Sequence, residues 1–234
     1  MPRTAIVAAM HEELAAVLAL LPDERRQAVG GRDFWVGHLH GQEVVAVLSR
    51  IGKVAAATTA TALIERFAVD RIVFTGVAGG LAPGVRRGDV VVADSFLQHD
   101  LDASPIFPRY QVPLYGTDRF ATDPALTGQL AAAAQRALHG TTLHRGLIAS
   151  GDRFVSSAAE SALLQQALPD ALAVEMEGAA FAQVCTDYGV PFAAVRTISD
   201  RADDAAHGDF VQFIDQVASR HSAAIVRAFL EAGA

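Results

Sequence analysis

Two periodicities alternate along nearly the whole chain, and this alternation limits the folds open to it more than any other feature. Short apolar runs recur at Thr4–Ala9 (TAIVAA), Glu43–Ser49 (EVVAVLS), Arg71–Gly80 (RIVFTGVAGG), Gly88–Gln98 (GDVVVADSFLQ), Arg145–Ser150 (RGLIAS), Ala171–Glu177 (ALAVEME) and Pro191–Ser199 (PFAAVRTIS). Each has the length and composition of a buried strand. Between them lie segments with helical spacing: HEELAAVLALLP, with Leu14, Val17, Leu18 and Leu21 on one face, then Gly52–Phe67, Pro124–Leu138, Ala158–Leu168, Gly178–Tyr188 and a long C-terminal helix from about Asp209. Asp33–His38 and Glu43–Ser49 read as an antiparallel pair joined by the turn HGQ. Strands alternating with helices predict one three-layer α/β/α sandwich around a central sheet that is mostly parallel or mixed, a single domain over residues 1–234 with no linker or internal repeat. Ligands in such folds collect at the carboxyl ends of strands. TGVAGG, SGDRF, EMEG and TISDRAD are therefore expected to border one cavity.

Composition narrows the function classes. Of 234 residues, 51% are hydrophobic and 19% charged, enough apolar material for a sizeable core. The net charge is −7, and Lys53 is the single lysine; the other basic residues are scattered arginines, which is not the footprint of a nucleic-acid binder. No apolar window approaches a membrane span, and the start turns acidic too early for a signal peptide, so the expectation is a cytoplasmic protein. The lone Cys185 reads as a small buried hydrophobe, and the eight histidines show no metal-ligand spacing. Neither a metal nor a cofactor is expected. His99–Phe120, with three prolines and four aromatics but no periodicity, is expected to be a long ordered loop.

AVEMEGAAFAQVC raises the sharpest question, because it sets Glu175 and Glu177 in a run that otherwise reads as interior. A carboxylate buried without partners costs several kcal/mol, so the two must be satisfied or must act. Carboxylates also stand just past other strand ends: Glu12 or Glu13, Asp152 and Asp200. Each alone is read most simply as an acid favoured at a helix N-terminus; four together are less easily dismissed. The glycine-rich stretch Thr75–Gly80, read as a turn with Val77, Ala78 and Gly79 at its centre, is weak evidence for a phosphate cradle, since it matches neither the dinucleotide nor the P-loop pattern.

AMHEEL, SRIGKVAAA, TGVAGGLAP, SGDRFV, VEMEGAA and RTISDRADDAAHGDF, in this order, resemble the bacterial 5′-methylthioadenosine/S-adenosylhomocysteine nucleosidases of the purine nucleoside phosphorylase superfamily over essentially the whole chain. The resemblance implies a nucleoside phosphorylase-like fold, a homodimer without cofactor, and hydrolysis of the bond between adenine and a 5′-thio-substituted ribose. It implies Glu177 as the ribose-binding carboxylate, Asp200 as the acid that protonates adenine N7, and Glu13 as the base that activates water. Met176 would pack on the sugar, Phe154 on adenine, and the Val155 backbone would read the base edge; on burial statistics Phe154 and Val155 suit an apolar core equally well. Ile51 and Phe210 would line the 5′-alkylthio pocket, Ser199 would orient Asp200, and His207 is either a pocket wall or a solvated helix start. Phe107, Pro108 and Pro113 in the 99–120 loop would reach the neighbouring subunit's site. Arg196 is a candidate substrate contact and also the expected partner of Glu175, for which the resemblance supplies no role.

Two alternatives stand beside this reading. A phosphorylase would use phosphate in place of water, but the glycine-rich stretch offers no arginine, and Glu12 and Glu13 would repel the anion. Some relatives carry serine where this chain has Val77, which bears on how the water is positioned. A non-catalytic nucleoside-binding protein would have no need of Glu13 and Asp200 beyond contact.

Overall fold

The computed structural model describes residues 2–213 and 217–233. The elements run β1 (Thr4–Ala8), α1 (His11–Leu18), β2 (Arg25–Val29), β3 (Arg32–Leu39), β4 (Gln42–Leu48), α2 (Lys53–Phe67), β5 (Arg71–Gly80), β6 (Val90–Gln98), β7 (Arg119–Ala121), α3 (Pro124–Ala137), β8 (Leu143–Ser150), α4 (Ala158–Ala167), β9 (Ala171–Glu175), α5 (Gly178–Tyr188), β10 (Phe192–Asp200), α6 (Ala206–Phe213) and α7 (Ser219–Glu231). The architecture is mixed α/β around a central sheet, as the alternation of periodicities predicts.

The sheet has an open wing and a closed end. The wing runs β5-β1-β4-β3-β2, with β1 parallel to both β4 and β5. β5 then pairs with β10 in parallel and, at its far end, with β9 in antiparallel register, Gly79 opposite Val174. Because β10 leads through β6 and β8 back to β9, five strands close into a ring. Closure carries the exits of β5, β8, β9 and β10 towards one another.

In the wing the pleat divides the apolar side chains between two faces. Val7, Val45, Val47, Ile72 and Phe74 face α2 and α5, while Ile6, Val44, Ala46 and Val73 face α1, α3 and α7. Burying both faces explains why these strands read as continuous apolar runs. At Gly178 a Cβ atom would stand 2.1 Å from the Phe96 ring, so glycine is what lets α5 start this close to β6.

Several local expectations change. The stretch Thr75–Gly80 is the second half of β5 rather than a turn, and its residues pair with β10 and β9. Its amides are therefore committed to ladders, which removes the basis for a phosphate cradle. The expected C-terminal helix is described in two stretches, α6 from Ala206 and α7 from Ser219, and the part of it at 214–216 lies outside the described residues. The last two residues of the expected 99–120 loop, Arg119 and Phe120, belong to β7. β2 went unrecognised because RRQAV is a solvent-exposed edge strand with no apolar alternation.

Candidate active site

A cavity of about 410 Å³ opens where the strands of the ring end. β1 delivers Ala9 and Met10 to it, β5 delivers Val77, Ala78 and Gly79, and the exit of β8 delivers Arg153, Phe154 and Val155. Val174, Glu175, Met176 and Glu177 arrive from β9, Ser199 and Asp200 from β10, Ile51 from the segment before α2, and His207 from α6. The wall is thus largely apolar, with carboxylates at chosen points, as expected of a site that fixes a small molecule through few polar contacts.

The two glutamates of EMEG have different surroundings. Glu175 is saturated. Its carboxylate accepts from Arg196 Nη2 at 2.8 Å, from the Gly178 amide at 2.9 Å, from the Glu177 amide at 3.3 Å and from the Ser150 hydroxyl. Two of these donors belong to the start of α5, where the helix dipole also favours an anion. Arg196 is 1% exposed, donates to the carbonyls of Phe74 and Val195, and lies 4.1 Å from the Phe74 ring centre. It stands behind the cavity wall as the partner of Glu175, and is not a lining residue.

Glu177, equally buried, accepts the Gly52 amide at 2.9 Å. Burial, reinforced by the neighbouring Glu175 charge, pushes its carboxyl up to about 8, against the pull of the Gly52 amide and Arg196. A carboxyl in this state is stabilised as an anion only when further donors arrive, and vicinal hydroxyls are suited to supply them.

Asp200 lies at the last position of β10, with Oδ2 accepting from Ser199 Oγ at 2.7 Å and Oδ1 from the Ala202 amide at 2.8 Å. Gly79 lies so close that a Cβ there would stand 2.9 Å from Asp200 Oδ1. Here the glycine of β5 serves the carboxylate, not a phosphate.

Glu13 is fully buried in the first turn of α1, behind Met10, whose amide donates to its Oε2 at 3.3 Å. Its Oε1 has no hydrogen-bond partner among the described residues. Burial pushes the carboxyl up to about 7, with Arg196 and the amides of Met10 and Ala9 opposing. A carboxyl poised near neutrality suits a general base.

The structure therefore brings Glu177, Asp200, Met176, Phe154, Val155, Ile51, Val77, Ala78, Gly79 and Ser199 to one cavity, with Glu13 just behind it. Phe107 and Pro113 do not line it within this chain, and Phe210 lies in α6 with its side chain outside the described set. Sequence reasoning missed Met10, Arg153 and the Gly52 amide. Gly52 carries a signal in hindsight, a glycine directly before a helix, where it adopts φ +95°.

The comparisons agree over the full length. Residues 3–231 match the family model described as the phosphorylase superfamily. A 5′-methylthioadenosine/S-adenosylhomocysteine nucleosidase of Geobacillus thermodenitrificans is 38% identical over 229 residues, covering 97% of this chain and 96% of that protein. The structure of the Neisseria meningitidis nucleosidase in complex with methylthio-immucillin-A superposes with a TM-score of 0.94 at 36% identity, covering 99% of this chain and 100% of that one. The native futalosine hydrolase of Helicobacter pylori superposes with a TM-score of 0.92 at 34% identity, covering 99% and 98%. The chain belongs to the phosphorylase superfamily and, within it, to the 5′-methylthioadenosine/S-adenosylhomocysteine nucleosidases.

Proposed function

We infer that the protein hydrolyses the N-glycosidic bond of 5′-methylthioadenosine and S-adenosylhomocysteine, releasing adenine and the 5′-thio-substituted ribose. The observation that carries the reading is the pairing of Glu177, a buried carboxylate with donors still to gain, with Asp200, oriented by Ser199 and Ala202, on the wall of one apolar cavity.

Cleavage builds positive charge on the ribose ring and negative charge on the departing base. Glu177 accepts the ribose hydroxyls, becomes fully anionic as they bind, and stabilises the cationic ring. Asp200 gives its proton to adenine N7, so that the base leaves neutral. Glu13 removes a proton from the attacking water, which adds to the ribose C1′ and completes hydrolysis. Met176 packs on the sugar, and Phe154, 42% exposed at the mouth, stacks on adenine. Val77 leaves the water to be held by Glu13 without help from a serine.

The protein acts in the cytoplasm as a homodimer in which the 99–120 loop reaches the neighbouring site. Exposed Ile106 and Leu114 on that loop, and Ile51 and Val54 beside the cavity, support a partner surface here.

Adenine release from methylthioadenosine in phosphate-free buffer tests the reading. Free methylthioribose without phosphate is expected; the sugar 1-phosphate, formed only when phosphate is added, would make the protein a phosphorylase. Asp200→Asn is expected to abolish turnover by about a thousandfold or more while a bound nucleoside analogue is retained. Aminodeoxyfutalosine belongs in the same assay, given the likeness to a futalosine hydrolase.

A further inference from the structure

The first turn of α2 is capped by residues from elsewhere in the fold. A helix start leaves its first amides unpaired, and usually a local Ser, Thr, Asp or Asn accepts one. Here the preceding residue is Gly52, with no side chain, and the first turn holds no acid. The Gly52 amide goes instead to Glu177 Oε1 at 2.9 Å, and the Lys53 amide to Asp152 Oδ1 at 2.7 Å.

Lys53 is the single lysine of the chain and occupies the first position of α2, where the helix dipole disfavours a cation. Its ammonium is held by Asp100 Oδ1 at 2.6 Å and Gln98 Oε1 at 3.0 Å. Asp100 Oδ2 accepts the Asp152 amide at 2.8 Å. The three residues thus form a closed ring: the Lys53 side chain to Asp100, Asp100 to the Asp152 backbone, and the Asp152 side chain to the Lys53 backbone. Burial works against ionisation of Asp100, yet the Lys53 ammonium and the Asp152 amide hold its carboxyl below the usual range.

This ring joins three strand exits, and two of them carry substrate-facing groups. Beside Lys53 are the Gly52 donor to Glu177 and Ile51 on the cavity wall; Phe154 and Val155 follow Asp152 by two and three residues. A Cβ at Gly52 would stand 3.1 Å from Asp152 Oδ1, so the two segments meet closely.

We propose that Lys53, Asp100 and Asp152 are positioning residues that fix the adenine-facing segment at Phe154 and Val155 relative to the ribose carboxylate Glu177, so that base and sugar are held at the spacing the reaction needs. The proposal rests on the nucleosidase reading of the cavity. A partly exposed ion pair by itself contributes little; the ring acts because its two carboxylates also fix backbone amides, those of Lys53 and Asp152, next to substrate contacts. Loosening it frees the Gly52 amide from Glu177, whose other charged neighbours are Glu175 on β9 and Arg196 on β10. Losing one donor to the anion makes Glu177 harder to ionise.

Lys53→Met tests this, read by kcat, KM and the pH profile of kcat/KM for methylthioadenosine, with the thermal midpoint alongside. Expected are a fall in kcat/KM of about tenfold or more and an upward move of the acid limb by roughly half a pH unit. Lys53→Cys, alkylated with 2-bromoethylamine, rebuilds a lysine-like amine and is expected to recover most of the rate and the original limb. The other thiol, Cys185, is buried and pushed up to about 12 by that burial, so it is spared. Where Lys53→Met does not fold, the isosteric Asp100→Asn carries the same measurements. A lower thermal midpoint with kcat/KM and its limb unchanged, or a loss that the rebuilt amine does not reverse, overturns the proposal. Absence of adenine release by the unaltered protein overturns it together with the nucleosidase reading.

Discussion

Glu175 and Glu177 stand two residues apart, equally buried, in surroundings that lead to opposite uses. Glu175 is closed in by Arg196, Ser150 and the first amides of α5, and its charge is matched inside the protein. Glu177 holds the Gly52 amide, faces the cavity, and is pushed up to about 8. Burial alone therefore does not mark a catalytic carboxylate. What marks it is the shortfall of donors on a side chain aimed at a space where a ligand can supply them.

The largest effect should come from breaking the open member of the pair. Glu177→Gln keeps the shape and the Gly52 contact but cannot become the anion the cationic ribose requires. Its kcat/KM for methylthioadenosine is expected to fall by about a hundredfold to a thousandfold, while the thermal midpoint rises, because a poorly matched acid has gone from the interior. Unimpaired turnover would remove Glu177 from the role given it here.

Breaking the closed member should reverse that pattern. Glu175→Gln leaves the Arg196 guanidinium buried without its anion, and loss of one partner in such a pair costs about 3–5 kcal/mol. Denaturant unfolding of the variant is expected to show that loss. The double substitution Glu175→Gln with Arg196→Met should recover most of it, since no charge is then left unmatched. A single variant as stable as the parent would make the pair dispensable.

How much of this contrast was legible beforehand depended on whether the signal was local. The strand and helix runs were readable because apolar spacing repeats within each, and Arg196 was a foreseeable partner for Glu175 because both lie in apolar runs that need their charges matched. The cavity residues were readable where they follow strand ends in sequence. Long-range geometry was not. Ring closure turns TGVAGG from an apparent loop into a strand, because glycines that normally signal turns are used at Gly79 and Gly80 for close approach to Asp200 and Ile198. The Gly52 bond to Glu177 spans 125 residues, and no local pattern announces it. Arg196 fell behind the cavity wall rather than on it because its side chain is drawn back to Glu175 and Phe74.

The smallest expected effect is the most discriminating, since it reads the shortfall of donors at Glu177 as a pH dependence of stability. Glu177 at about 8 and Glu13 at about 7 both lie above the ordinary value of 4.5. Between pH 4.5 and about 8 the folded protein keeps protons that the unfolded chain has released, so stability is greatest at the acid end of this window and declines as pH rises through it. The decline should appear as a fall of several degrees in the thermal midpoint, about the size of a few kcal/mol in a chain of this length. Glu177→Gln should flatten the slope over its upper part, and Glu175→Gln should flatten it less, because it removes the charge that reinforces burial at Glu177 but not the burial itself. A bound nucleoside analogue should flatten it too, because the ribose hydroxyls supply the donors that make the Glu177 anion tolerable in the interior. Were the slope the same in the Glu177 variant as in the parent, the shortfall of donors would lie elsewhere, and the distinction between the two glutamates would rest on position alone.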